Sequence, residues 1–414
     1  MTSRFYILSL LTTFCLALAT CPAAEEKAVP ETPAKETAES SIVYVPLDAP
    51  EGMSQAVIVD RIPLVHTRQL FAFDSNGKLV GEGSADQQIE QVLTNLEAVL
   101  KDSASGLDQL IRVNVYALST ATVTEFREHL TGRLGPSVRP VITSVLTPMP
   151  HRGALVAVDA VAGASDAGEA VTLRRCQAVA GNDTCADAAV LPAGGIAYLS
   201  GHPEGFELTK LPTTKSMTRL MKTLGQLKLA PEHVVQVKVF LNPVTSAEDV
   251  LREVQAFFPD QLTPPVVFVE WLAALPVEIE MIAQLPSSEG PALEYFDPPE
   301  FRPSNTFSRV ALMRARQQIY IAGLYAREPS RGEPQAKYLF DQLEEILAKT
   351  GSDMRHLVKA TYYVSDNDAA RWIDRTRPLI FDPKRPPAAS KLMVHGVGQA
   401  QRTMTVDMIA VGSE

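Results

Sequence analysis

The chain has 414 residues, 46% hydrophobic and 21% charged, a globular composition with length for two to four domains. Its formal net charge of −10 and the lack of any basic block argue against a broad phosphate-binding face, because nucleic-acid binding rests on clustered Lys and Arg.

Residues 1–24 read as a leader. Arg4 precedes the apolar run 5–19, which is too short for a comfortable membrane span, and small residues offer a cleavage point near Ala24. A lipid anchor at Cys21 and a retained membrane anchor stay open as alternatives. The leader implies export, to the periplasm or the medium. Residues 25–40 lack aromatics and are rich in Glu, Pro, Lys and Thr, so they are expected to be a disordered tether.

From there one pattern occurs three times, at 95–118, 223–242 and 342–365: a helical end, a short turn, then a strand of alternating apolar residues. Tyr116, Phe240 and Tyr363 correspond in the three strands. A second amphipathic helix follows each, at 121–131, 246–258 and 367–377, and each copy ends in an alternating strand carrying Asp159, Glu280 or Asp407. Each copy opens with two strands and a turn; in the first, Ser75-Asn76-Gly77 is the hairpin signal. Small polar stretches at 163–170 and 286–292 suit linkers. The expected architecture is therefore α+β, three tandem β-β-α-β-α-β-β domains over 41–163, 171–285 and 293–414. The acids on the last strands are expected to make structural hydrogen bonds.

Four cysteines are present, and two of them fall in the leader. Cys176 and Cys185 remain. In an exported chain such a pair is expected to form a disulfide, stabilising by roughly 2–3 kcal/mol in the chain-entropy model, with two unlinked thiols as the alternative. The histidines are scattered without metal spacing, and Gly396–Gln401 lacks the pattern of a dinucleotide loop.

The repeated unit resembles the RidA/YjgF family. The first copy carries "MSQAV" (53–57), "TRQ" (67–69), "NGKLVGEG" (76–83) and "NLEAVL" (95–100). The second has "CQAV" (176–179), "YLSGH" (198–202) and "LAALPVEIEMIA" (272–283). In the third stand "FSRV" (307–310), "YIAGLY" (320–325), "EEILAKTG" (344–351) and "VDMIA" (406–410). The resemblance implies a chorismate-mutase-like fold and a covalent pseudo-trimer acting as a monomer, with a ligand cleft at each junction. Fusing the subunits removes the entropic cost of association and lets the three clefts diverge.

By the same resemblance, the family chemistry is hydrolysis of reactive enamines or imines without metal or organic cofactor. An arginine holds the substrate carboxylate and a glutamate places water. The ligand would be a small carbonyl, imine or ketoacid-like molecule, and no nucleic acid. Carried over by position, the arginine is replaced by Ile142, Val267 and Ala389, and the glutamate survives only as Glu278. Losing hydrogen bonds to a carboxylate costs roughly 1.5–3 kcal/mol each, which opens a second reading, a non-catalytic member that binds a ligand or a protein. Arg139, three residues before Ile142, is the candidate replacement. Thr67, Ser200, Gly201 and Gly323 are the candidate substrate-binding residues.

Overall fold

Alternating apolar residues fold as strands, and helices pack on them through residues spaced three and four apart. A computed structural model of the chain describes residues 41–207, 211–287 and 289–413. The expected leader, its alternative anchor at Cys21 and the tether all lie outside these residues.

The first copy supplies β1 (Ile42–Val45), β2 (Ala56–Val59), β3 (Leu64–Thr67), β4 (Leu70–Phe71), α1 (Ala85–Asp102), β5 (Leu110–Ala117), α2 (Thr120–Arg133), β6 (Val141–Leu146) and β7 (Val156–Gly163). The second supplies β8 (Thr172–Arg174), β9 (Ala188–Leu191), β10 (Gly195–Glu204), α3 (Pro212–Gln226), β11 (Val234–Leu241), α4 (Ala247–Gln255), β12 (Val266–Glu270) and β13 (Val277–Leu285). The third supplies β14 (Leu293–Phe296), β15 (Val310–Met313), β16 (Gln318–Leu324), α5 (Glu333–Lys349), β17 (Leu357–Val364), α6 (Asn367–Ile380), β18 (Ala388–Met393), β19 (Gly396–Val397) and β20 (Met404–Val411).

Helix α1 shows the local logic. Ser84 caps it by accepting from the Gln87 backbone N–H, and Ile89, Val92, Leu93, Leu96, Val99 and Leu100 form its buried face. The expected Ser75-Asn76-Gly77 hairpin is smaller than the sequence suggests. Gly77 takes a φ of +79° and its N–H bonds the Asp74 carbonyl at 2.9 Å, but the flanking strands meet only in one bridge, Phe73 with Leu79.

Three sheets share one strand order. They run β8-β9-β3-β7-β5-β6, β14-β15-β10-β13-β11-β12 and β1-β2-β16-β20-β17-β18, with β19 adding to the first beside β6. In every sheet the two-stranded hairpin comes from the copy that follows in cyclic order. Short turns at 60–63, 192–194 and 314–317 lead the chain from one sheet into the next. β3, β10 and β16, which would otherwise expose an edge, are thereby paired on both sides.

The copies also share cores. Tyr116, Phe240 and Tyr363 lie in a single buried cluster with Val145, Val269 and Leu392. A second shared cluster gathers Ile111, Val235 and Val358, the matching residues nearer the start of each strand. Between these clusters the strand acids reach across copies. Glu280 takes the Lys359 ammonium at 2.5 Å, and Asp407 stands 3.5 Å from the Arg112 guanidinium. At the third junction Gln236 replaces the cation and donates to the Thr67 carbonyl at 2.8 Å, while Asp159 accepts from Asn114 and the Tyr116 hydroxyl. These acids are structural.

The expected disulfide is absent: Cys176 and Cys185 are both free thiols. They face different surroundings. Cys176 is packed in the core of the first copy, with its backbone N–H on the Asp187 carboxylate. Cys185 bridges toward Thr263 and accepts from the Gln255 side chain at 3.1 Å.

Candidate functional site

At each junction a strand end, the start of the incoming hairpin and a parallel strand of the next copy come together, and cavities open at the first-to-second and third-to-first junctions. Strand register identifies the equivalent residues. β3 pairs Thr67 with Ala188, β10 pairs Leu199 with Val310, and β16 pairs Ile321 with Ala56. Gln69, Gly201 and Gly323 are therefore equivalent, and Thr67 is not the partner of Ser200 as the sequence suggested. Thr67 is fully buried, and its hydroxyl accepts from the Ala160 N–H at 2.9 Å. Its role is to satisfy backbone.

A second slip occurs on the parallel strands. Val113 pairs Ile142, Val237 pairs Val266 and Ala360 pairs Ala389. The residue matching Ile142 in the second copy is thus Val266 rather than Val267. One residue of register turns a side chain to the opposite face. Val266 lines a cleft, whereas Val267 is buried in the shared central cluster. In the second copy the strand equivalent to "QAVIV" is Ala188–Leu191, well beyond "CQAV". This makes Gln55, Asp187 and Arg309 equivalent, one at each junction.

The three clefts differ through these positions. In the first-to-second junction, Asp187 is occupied by Arg68 at 2.6 Å and by Arg175 at 2.5 Å. A cavity of about 280 Å³ remains there, lined by Gln69, Phe71, His151, Cys185 and Phe268 among others. Burial and the nearby Arg68 charge lower the His151 pKa. In the third-to-first junction, a cavity of about 260 Å³ is lined by Gly323, Ile142, Gln55, Arg127 and Tyr325.

The second-to-third junction holds the acid. Glu278 is 7% exposed, and burial, reinforced by the Glu280 charge, raises its pKa to about 7. Its carboxylate lies against Gly201: a Cβ on that residue would stand 1.9 Å from Oε1. Only glycine permits so close an approach. Burial also pushes Glu280 upward, but Lys359 and Lys238, with hydrogen bonds from Lys359 and Ser390, outweigh it and hold the pKa below the ordinary value. The two carboxyls are thereby driven apart, one toward neutral and one firmly ionised.

Ser390 links this pair to the backbone. Its hydroxyl donates to Glu280 Oε2 at 2.6 Å and accepts from the Gly201 N–H at 3.3 Å. Ser200 staples the same junction, donating to the Ser308 carbonyl at 2.6 Å and accepting from the Ala389 N–H at 2.8 Å. Ser200 is fully buried. It positions the two strands.

Arg309 is the residue that sequence reasoning missed. It follows Ser308 at the hairpin start, with its guanidinium over Phe301 at 4.5 Å and Phe307 at 5.0 Å. Burial lowers its pKa, while the Asp297 and Glu278 charges oppose that shift, which places Arg309 within electrostatic reach of Glu278. His202 also borders the group: its ring centroid is 5.1 Å from that of Phe301, and burial with the Arg309 charge lowers its pKa to about 4. A neutral imidazole, a guanidinium and a carboxyl titrating near neutrality thus surround one junction. The signal was present as Arg309 in "FSRV", on the strand that the sequence assigned only a matching role.

Arg139 does not join Glu278. It lines a surface groove with Tyr44, Asp108 and Val138, outside the cleft that contains Ile142. Proline at 140 starts the strand beyond it, so the arginine sits at the strand's outer end.

The family model described as endoribonuclease L-PSP matches residues 47–164 and 299–412, the first and third copies and more than half of the chain. No curated protein matches it. Among solved structures, a Rid-family protein of unknown function from Yersinia pestis is 22% identical, with a TM-score of 0.26, over 30% of this chain and 98% of its own. A YjgF-family protein from Neisseria meningitidis is 17% identical, with a TM-score of 0.22, over 30% of this chain and 96% of its own. Three units of one strand order, two of them matched by that model, make this chain a member of the endoribonuclease L-PSP family, to which the Rid and YjgF names also apply.

Proposed function

We propose that this protein binds small carbonyl, imine or ketoacid-like metabolites in its junction clefts and hydrolyses an imine or enamine at the cleft of Glu278 and Arg309. The carrying observation is Glu278, buried over Gly201 with a pKa of about 7. A carboxyl in that range serves both as proton donor and as proton acceptor at neutral pH. Arg309 would hold the anionic end of the substrate, in place of the arginine missing at Ala389. Water adds to the C=N carbon, and the carbinolamine then collapses to the carbonyl and an amine. Glu278 takes the proton from water and returns one to the leaving nitrogen.

The reading includes export, from the leader at 1–24, and action as a monomer. The acidic net charge counts against RNA as substrate despite the family's name. Ala157 and Thr405 stand at the positions equivalent to Glu278, which favours binding alone in the other two clefts.

The test supplies enamines generated from several amino acids to the purified protein and follows their decay with a semicarbazide trap. Faster decay that Glu278→Gln and Arg309→Met abolish supports the reading. Wild-type decay no faster than buffer overturns it.

A further inference from the structure

Ser390 has more acceptors than its hydroxyl can serve. It stands on β18 of the third copy, 3% exposed, and faces the acids of β13 in the second. Its proton goes to Glu280 Oε2 at 2.6 Å, and its oxygen takes the Gly201 N–H at 3.3 Å. Gly201 is also the residue against which Glu278 Oε1 lies, so the hydroxyl is within reach of both carboxyls. Burial and the Glu280 charge raise the Glu278 carboxyl, while the Lys359 charge, a hydrogen bond from Ser390 and the Arg309 charge pull it down. A serine hydroxyl carries one hydrogen and cannot donate to two acids at once.

The three copies supply an internal comparison. Parallel pairing makes Val267, Thr143 and Ser390 equivalent. Antiparallel pairing makes Ala157, Thr405 and Glu278 equivalent. At the first-to-second junction, where Ala157 precedes Asp159, the position holds valine. At the third-to-first junction it holds Thr143, whose hydroxyl bonds neither Thr405 nor Asp407 among the described residues. This position bonds the strand acid only where a second carboxyl stands two residues before it.

The surrounding charges decide which acid can release the hydroxyl. Glu280 keeps the Lys359 ammonium of β17 at 2.5 Å and is paired in register with Lys238 of β11. Glu278 has no direct ion pair among the described residues. Arg309 of β15 reaches it only through the field, and His202 of β10 is held neutral by burial and the Arg309 charge. An ionised Glu278 therefore gains more from the hydroxyl than Glu280 loses, because a hydrogen bond to a buried charge is worth most where no cation already serves it.

We propose that Ser390 is a positioning residue for hydrolysis at this junction: its hydroxyl proton turns from Glu280 to Glu278 when Glu278 is ionised, and turns back when Glu278 takes a proton. The turn is a rotation about the Cβ–Oγ bond, and Ser390 makes and breaks no covalent bond. It holds the reacting carboxyl over Gly201 in both of its forms. This role rests on the reading of Glu278 as the acid and base of the reaction.

Carbon-13 NMR of protein labelled in its glutamate carboxyls tests it, with Glu278→Gln identifying the Glu278 signal. Ser390→Ala should raise the titration midpoint of Glu278 above its wild-type value by about one pH unit, the tenfold change in ionisation expected for one lost hydrogen bond to a charge. Ser390→Thr, which keeps the hydroxyl, should restore it. In imine hydrolysis the pH dependence of kcat should move by the same amount in Ser390→Ala, with KM little changed. A midpoint that stays or falls in Ser390→Ala, or that Ser390→Thr does not restore, overturns the proposal. Should Ser390→Ala fold poorly, Ser390→Cys takes its place as a weaker donor of similar size, with a smaller rise expected and no rise refuting. The titrations need no turnover. A wild type that does not hydrolyse imines overturns the reading of the site, whereas the midpoints alone decide whether Ser390 serves Glu278.

Discussion

Replacing Glu278 by glutamine should stabilise the protein at neutral pH and leave it unchanged in acid. Burial holds the folded carboxyl at about 7 against an ordinary 4.5. Below the lower value both the folded and unfolded chains are protonated, so the group contributes nothing. As pH rises from 4.5 to 7, the unfolded chain releases its proton while the folded chain retains it, and wild-type stability falls. Above 7 both are ionised and the penalty is constant. The gap between the two values corresponds to a penalty of ~3 kcal/mol. A glutamine side chain cannot ionise, so Glu278→Gln should gain on the wild type through that window and level off near ~3 kcal/mol above it. Urea denaturation of both proteins at intervals from acid to mildly alkaline pH measures the difference. A difference flat across the series, or a wild type that grows relatively stronger with pH, would refute the buried, raised carboxyl.

Gly201→Ala places a methyl 1.9 Å from Glu278 Oε1 and should cost about 1–3 kcal/mol in denaturation while pulling the carboxyl from its seat. Stability equal to wild type would mean that Glu278 does not lie over the strand. Lys359→Met strips Glu280 of its cation at 2.5 Å, and removing one partner of a buried pair should destabilise by about 3–5 kcal/mol. A double variant with Glu280→Gln should recover part of that loss, and its failure to do so would count against the pair. Because Cys176 and Cys185 are free, reductant should leave the melting temperature unchanged, and Cys185 should react with a maleimide before the buried Cys176. A marked fall in melting temperature on reduction would restore the expected bridge.

The repeat was legible because period is a local property. Apolar alternation at Leu110–Ala117, Val234–Leu241 and Leu357–Val364 and matching acids at Asp159, Glu280 and Asp407 appear in the sequence without any knowledge of contacts. The second helices begin within a residue of their expected starts, since Ser119 and Asp366 cap α2 and α6 through side-chain acceptors. Loss of the arginine at Ile142 and Ala389 could also be read from position alone, and so could the survival of a glutamate at Glu278.

Register was harder. Thr67 stands two residues before the cleft position and Val267 one residue after it, because motif matching counts residues along the chain, whereas strand pairing decides which residue faces the cleft. Gln69 and Val266 occupy those places.

What the sequence by itself determined is the number of copies, their element order and which family groups are missing. Only tertiary structure decided that each hairpin completes the sheet of the preceding copy, that Arg309 lies within electrostatic reach of Glu278, that Arg127 lines the Gly323 cleft and that the cysteines stay apart. The physical reason is separation along the chain. Arg127 and Gly323 come from different copies, and side chains so distant are brought together by strand pairing and core packing, which no local pattern encodes.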